Sequence, residues 1–108
     1  MTTKVILGTA TPGGGFPLYG GALAETVNET DPALHVEPRN TKGSTENIPL
    51  LEASALDIAL VTGEPAYEAF EGIGRPRSAL KIITAMYSTA GMFVVRGDSP
   101  ALSSRDLT

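Results

Sequence analysis

Polar and glycine residues are concentrated in three short segments, each of which separates a predicted strand from a predicted helix. Residues 8–16 are rich in glycine and carry two threonine hydroxyls. Residues 41–44 place backbone N–H groups, a hydroxyl and the ammonium of Lys42 at a helix start, which suits a carboxylate or another anion. Residues 62–64 end in Glu64, an acid that can pair with a cationic group. These residue types favour binding of a small polar molecule.

Each segment also has a structural interpretation, which stays open at this point. The glycines of the first segment are explained by a flexible turn, and Ser44 by helix capping beside a solvated Lys42. Glu64 is equally a favourable charge at a helix N-terminus. Tyr87 follows an apolar run, so it either lines a cleft or packs in the core with its hydroxyl at the rim.

Known catalytic and nucleotide-binding motifs are absent from these segments. Gly8 and Gly13 have the spacing of P-loop glycines, but Gly14 and Gly15 stand where that loop needs lysine and a hydroxyl residue. The single histidine, His35, lies at the amino end of its predicted strand, where it cannot complete a Ser-His-Asp arrangement. With no cysteine and one histidine, thiolate zinc sites and histidine-rich metal sites are excluded. We therefore expect no enzyme activity, no metal and no cofactor.

Length and charge restrict the domain number and exclude further classes of protein. The 108 residues are enough for one domain, and 42% hydrophobic residues can form a core. The net charge of −4 lacks the basic excess that nucleic-acid binding requires. The apolar stretches are too short to span a bilayer, and no signal peptide opens the chain as given.

The apolar pattern predicts alternating strands and helices. Strands are predicted at 4–7, 35–37, 56–61, 80–86 and 92–96. Helices are predicted after Gly21 up to Asp31, from an N-cap at Ser44 through Ala55, from Pro65 to Glu71, and from Ser103 onward. This order indicates an α/β fold, a mostly parallel sheet with helices on both faces. Because crossovers are right-handed, we expect the three polar segments to converge at the carboxyl edge of the sheet.

Several ordered blocks of the sequence resemble one family of binding proteins. They are the run GTATPGGGF with GGALA after it, TKGSTENI, LLE with LDIALV, AYEA, MY, VVRGDS and the final DL. Together they are similar to TAXI-type solute receptors, the periplasmic components of TRAP transporters, which are related to the NMT1-like binding proteins. The resemblance extends from about residue 4 to the end of the chain.

The resemblance implies a type II periplasmic-binding fold with two α/β lobes. Residues 1–108 would form the N-terminal portion of the first lobe, without the second lobe and hinge. It also implies a periplasmic receptor that binds a small organic anion, an amino acid or other carboxylate, and delivers it to membrane permease subunits. The residues expected to bind the substrate are Thr9, Thr11, Gly15, Phe16, Lys42, Ser44, Thr62, Glu64 and Tyr87.

Departures from the family pattern leave the ligand's identity open. The family often has a hydroxyl residue at the position of Gly15, tyrosine at Phe16 and glycine at Lys42. Thr62 and Glu64 replace a commoner Gln and Asp pair. Two other interpretations remain: an α/β enzyme domain for a phosphorylated substrate, and the ligand-sensing domain of a transcriptional regulator.

The chain's expected extent predicts two further properties. A single lobe offers one wall of a cleft, so we expect weak ligand binding. An unpaired sheet edge also favours a homo-oligomer, formed by strand exchange with a second copy.

Overall fold

The computed structural model describes residues 2–88, 94–100 and 105. Its helices and strands are β1 (Thr3–Gly8), α1 (Gly15–Thr30), β2 (Leu34–Arg39), α2 (Ser44–Glu52), β3 (Ile58–Ala59) and α3 (Gly63–Glu71). The three strands form an all-parallel sheet in the order β2-β1-β3. This confirms the predicted α/β class.

Helices lie on both faces of the sheet. Neighbouring residues of β1 point to opposite faces, and each of the last two lies against a different helix. Leu7 points toward α1, since a Cβ on Gly20 would lie 3.4 Å from Leu7 Cδ2. Gly8 points toward α2, since a Cβ there would lie 3.0 Å from Oδ1 of Asn47. The main core lies on the α1 face and is built from Leu7, Ala24, Val36 and Leu60.

The outer edge of β2 offers no free N–H group. The side chain of Asn28 binds both backbone groups of Val36, accepting from its N–H at 2.6 Å and donating to its carbonyl at 3.1 Å. The N–H of Leu34 donates to the carbonyl of Asp31, and Pro38 has no N–H. Because strand addition needs free edge groups, this edge resists pairing with another strand.

The helix boundaries differ from the sequence predictions at their starts and at one end. α1 begins at Gly15, not after Gly21, because Gly20 lies in close contact with the sheet where a larger residue would not fit. α2 ends at Glu52, before the predicted Ala55, and α3 begins two residues before Pro65. The end of α3 agrees with prediction, since Gly72 follows in the left-handed conformation (φ 72°) that favours glycine.

Three strand predictions need correction. The run 56–61 contains only a two-residue strand, Ile58–Ala59. Ala59 lies opposite Gly8, where β1 ends, and on the other side the carboxylate of Asp57 accepts from the N–H of Ile6. The run 80–86 forms no strand, and neither do residues 94–96. In the described part of the chain, β3 is an edge strand, and the run 80–86 does not pair with it. The remaining residues of the predicted strand 92–96, Met92 and Phe93, lie outside the described residues, as does the helix predicted from Ser103, apart from Arg105.

Candidate functional site

Asn47 joins all three strand-to-helix segments at the carboxyl edge of the sheet. Its side chain is fully buried in the first turns of α2. Nδ2 donates to the carbonyl of Thr9, after β1, at 2.8 Å, and to that of Leu60, after β3, at 2.9 Å. Oδ1 accepts from Thr41 Oγ1, before α2, at 2.7 Å. The predicted convergence of the three segments is therefore confirmed, and one amide holds it.

The chemistry of these partners determines the orientation of the Asn47 amide. Both Nδ2 hydrogens face carbonyl oxygens, which can only accept, and Oδ1 faces a hydroxyl that donates. Thr41 Oγ1 in turn accepts from the N–H of Gly43 at 3.0 Å. Asn47 was not among the predicted site residues, although it belongs to the block TKGSTENI and asparagine side chains often bond to nearby backbone groups.

A pair of hydroxyls joins the amino ends of α2 and α3. The N–H of Thr62 donates to Ser44 Oγ at 2.9 Å, and Thr62 Oγ1 donates to the same oxygen at 3.2 Å. Ser44 is the first residue of α2 and Thr62 the N-cap of α3, so the positive ends of two helix dipoles meet here. The predicted N-cap role of Ser44 is wrong: Gly43 is the N-cap, and the serine makes no capping bond.

The amino ends of the two helices carry free donors. The N–H groups of Thr45, Gly63 and Glu64 have no acceptor among the residues that the structure describes. A bond between two hydroxyls can run in either direction, and in both cases the Ser44–Thr62 pair keeps one O–H hydrogen without an acceptor in that part of the chain. These groups can therefore bind an acceptor such as a carboxylate.

Three charged residues surround the hydroxyl pair. Lys42 is exposed and has no ion pair in the described part of the chain. Its backbone N–H donates to Oε1 of Glu46 at 3.3 Å. Glu64 lies exposed in the first turn of α3. Lys42 favours an anion at this place, whereas Glu64 opposes it or pairs with a cationic group of the same ligand.

Tyr87 lies against the first turns of α1. Its Oη would be 3.5 Å from a Cβ on Gly15, and its ring centroid is 5.2 Å from that of Tyr19. Phe16 is half-buried against the main core, as is Met86. The structure thus brings together Gly15 and Tyr87, while the ring of Phe16 packs inward.

The other predicted site residues occupy different surroundings. Thr9 is fully buried, and its hydroxyl donates to the carbonyl of Arg39 at 3.1 Å. Thr11 is exposed, and its carbonyl accepts from the N–H of Gly14. His35, which was not predicted to bind a ligand, is exposed in β2 opposite Lys4, toward the amino end of the sheet.

Outside this edge, the described part of the chain includes a groove between two helices and two carboxyl groups held in ion pairs. A groove of about 210 Å³ lies between α2 and α3, lined by Ile48, Pro49, Pro65, Glu68 and Arg75 among others. Hydrogen bonds from Lys4 to Glu37 and from Arg75 to Glu52 hold the pKa of each carboxyl below its usual value. Within the described ranges, no three potential ligands come together to hold a metal ion.

Comparison with known protein families shows which family this chain matches. The model of the NMT1-like family matches residues 7–108, nearly the whole chain. The chain belongs to the NMT1-like family. Its members are solute-binding proteins of the periplasmic-binding type, and the three-stranded parallel sheet of this NMT1-like chain is consistent with part of that fold. Comparison with individually curated proteins gives no significant match.

Membership in the NMT1-like family agrees with the expected role in binding at a coarse level. Such families act as receptors and are usually not enzymes. They are typically periplasmic or extracellular. None of the helices in the described part of this chain is long and apolar enough to cross a membrane.

Proposed function

We propose that this NMT1-like chain forms one wall of a binding cleft for a small organic anion, an amino acid or other carboxylate. The observation that carries the proposal is the set of backbone N–H groups of Thr45, Gly63 and Glu64, which have no acceptor among the described residues, beside the hydroxyl pair of Ser44 and Thr62. An N–H group can only donate and therefore selects an acceptor, and the amino ends of α2 and α3 favour a negative one. Lys42 adds a positive charge at the same edge.

The resemblance to TAXI-type receptors supports a role in TRAP transport. In that role the chain is the periplasmic N-terminal portion of a two-lobed receptor, which delivers its anion to membrane permease subunits. The opposite wall then comes from a second lobe, and closure of the two lobes completes the site. One wall alone binds weakly, so the test needs a method that detects millimolar affinities.

Titration with propionate tests the anion site. Backbone N–H resonances of Thr45, Gly63 and Glu64 are expected to shift in NMR spectra of the labelled chain. Lys42→Ala is expected to weaken binding by up to about fivefold, the range of one exposed charge pair. Lys81→Ala is the matched control, because it removes an exposed lysine from a segment outside the three loops. No shift at any of the three groups up to tens of millimolar propionate would contradict the proposal.

Glu64 distinguishes between the two ligand classes. Glu64→Gln removes a negative charge beside the site, so it is expected to strengthen propionate binding by up to about fivefold. If the ligand is an amino acid whose ammonium pairs with Glu64, the same variant weakens binding of L-alanine. Glu71→Gln, at the far end of α3, is the control and should change neither affinity.

A further inference from the structure

Two tyrosines that lie far apart in the sequence form an exposed aromatic pair on the first turns of α1, the helix that follows one of the three segments joined by Asn47. The rings of Tyr19 and Tyr87 are 5.2 Å apart and tilted by 58°. Tyr19 is 36% exposed and Tyr87 is 49% exposed. Aromatic side chains usually bury most of their large apolar area, so this pair leaves ring surface for a further contact.

The pair follows one face of α1 toward the carboxyl edge of the sheet. Gly15 and Tyr19 are four residues apart, so they lie one above the other on the same helix face. Tyr87 reaches both: its ring contacts Tyr19, and its hydroxyl lies near Gly15 at the start of the helix. A side chain at position 15 would extend toward this hydroxyl, and glycine leaves that space open.

Core contacts hold both tyrosines in place. Met86, next to Tyr87, packs against the main core, and so does Leu23, one turn after Tyr19. In the part of the chain that the structure describes, the hydroxyl of Tyr87 has no hydrogen-bond partner. The pair is therefore positioned by packing of its neighbours, while part of each side chain stays exposed and the hydroxyl of Tyr87 lies near Gly15.

We propose that Tyr19 and Tyr87 determine specificity, and that the ligand is a carboxylate carrying an aromatic or flat apolar group. The carboxylate lies at the amino ends of the helices, and the apolar group stacks on the exposed surface of the tyrosine pair. The proposal rests on the function proposed above for the anionic half of the ligand. It adds Tyr19, which no motif in the sequence indicates.

A matched pair of ligands tests the proposal, because 3-phenylpropionate is propionate with one ring added. The 108-residue chain is expected to bind 3-phenylpropionate at least about tenfold more tightly, the upper range of one aromatic pair. Ring resonances of Tyr19 and Tyr87 should shift with 3-phenylpropionate and stay unchanged with propionate. Tyr19→Leu keeps an apolar side chain but removes the ring, and it should abolish most of the preference.

Tyr67→Leu is the control, because Tyr67 is also an exposed tyrosine but lies on α3. It should leave the preference unchanged. Equal affinity for the two ligands, or an unchanged preference in Tyr19→Leu, would overturn the aromatic proposal while propionate binding leaves the anion site intact. Failure of both ligands to bind would overturn the anion site as well.

Discussion

At the scale of single residues, the buried amide of Asn47 is the most consequential side chain of the described structure. Its three hydrogen bonds replace water for groups on three separate segments, and a buried polar group that loses its partner costs about 1–3 kcal/mol. No buried side-chain nitrogen or oxygen in the described residues lacks a partner. Ligand contacts must therefore come from the exposed groups around the amide.

Asn47→Asp keeps the shape of this side chain but replaces its donating NH2 group with an oxygen that accepts. The carboxylate would face the carbonyl oxygens of Thr9 and Leu60 without a hydrogen to donate. We expect a loss of roughly 2–5 kcal/mol in the free energy of unfolding at pH 7, measured by urea denaturation. Protonation restores one donor, so the folded state raises the pKa of the new carboxyl. The penalty is then full above that pKa and shrinks as the pH falls through it.

Asn40→Asp is the matched control for this change. Asn40 is exposed, and its Oδ1 accepts from Thr9 Oγ1 at 3.4 Å, a role that an aspartate oxygen retains. Its effect on stability should be within about 0.5 kcal/mol. Equal losses in the two variants would show that burial and orientation of the Asn47 amide do not matter.

The meeting of the three polar segments could be predicted from the sequence, but the individual contacts could not. Parallel topology alone brings the segments after each strand to one edge of the sheet, and that edge remains the predicted place for a ligand. The role of each side chain depends on depth, which spacing does not reveal. Thr9 is enclosed and Phe16 points inward, whereas both were predicted to bind the ligand.

At the scale of secondary structure, α1 depends on one close contact with the sheet. A Cβ on Gly20 would lie 2.6 Å from Thr9 Cγ2. That methyl group cannot rotate away at low cost, because the hydroxyl on the same carbon is bonded to the carbonyl of Arg39 and the residue is fully buried. The glycine therefore sets the distance at which α1 packs on β1.

Gly20→Ala and Gly21→Ala form a matched pair that tests this contact. Both changes raise helix propensity by roughly 1 kcal/mol, but only the first introduces a clash, which costs about 1–3 kcal/mol. Urea denaturation should show Gly20→Ala to be destabilised and Gly21→Ala to be stabilised by about 0.5–1 kcal/mol, since nothing lies within 4 Å of the latter's new Cβ. Stabilisation by both changes would contradict close packing at Gly20.

Some boundaries of the helices and strands could be predicted from the sequence, and others depend on tertiary contacts such as that of Gly20. Alternation of strands and helices followed from apolar periodicity, and β1 and the ends of α1 and α3 were found near their predicted positions. The start of α1 was missed because glycine and proline usually interrupt helices, and here tertiary packing outweighs that preference. The run 80–86 has strand-forming residues, but a strand needs a neighbour, and pairing is not a property of a segment alone.

At the scale of the whole molecule, the two edges of the sheet differ. Asn28 and Pro38 close the β2 edge, whereas β3 has no strand on its outer side among the described residues. The run 80–86 leaves Ile82 70% exposed and Ile83 81% exposed. An open sheet edge can pair with a strand-forming segment that has no partner strand, and the described part of this chain contains both. We propose that two copies associate on the β3 side, with the segment of one copy adding to the sheet of the other.

Light scattering coupled to size-exclusion chromatography tests this association. The average mass should rise with concentration toward that of a dimer, and Ile83→Glu should return it to that of a monomer, because a charge would be buried against the partner. Leu18→Glu is the control, since Leu18 is 80% exposed but lies on α1, away from β3. A monomer mass that does not change with concentration would contradict the proposal. Equal dissociation by both variants would place the interface elsewhere, because only Ile83 belongs to the strand-forming segment.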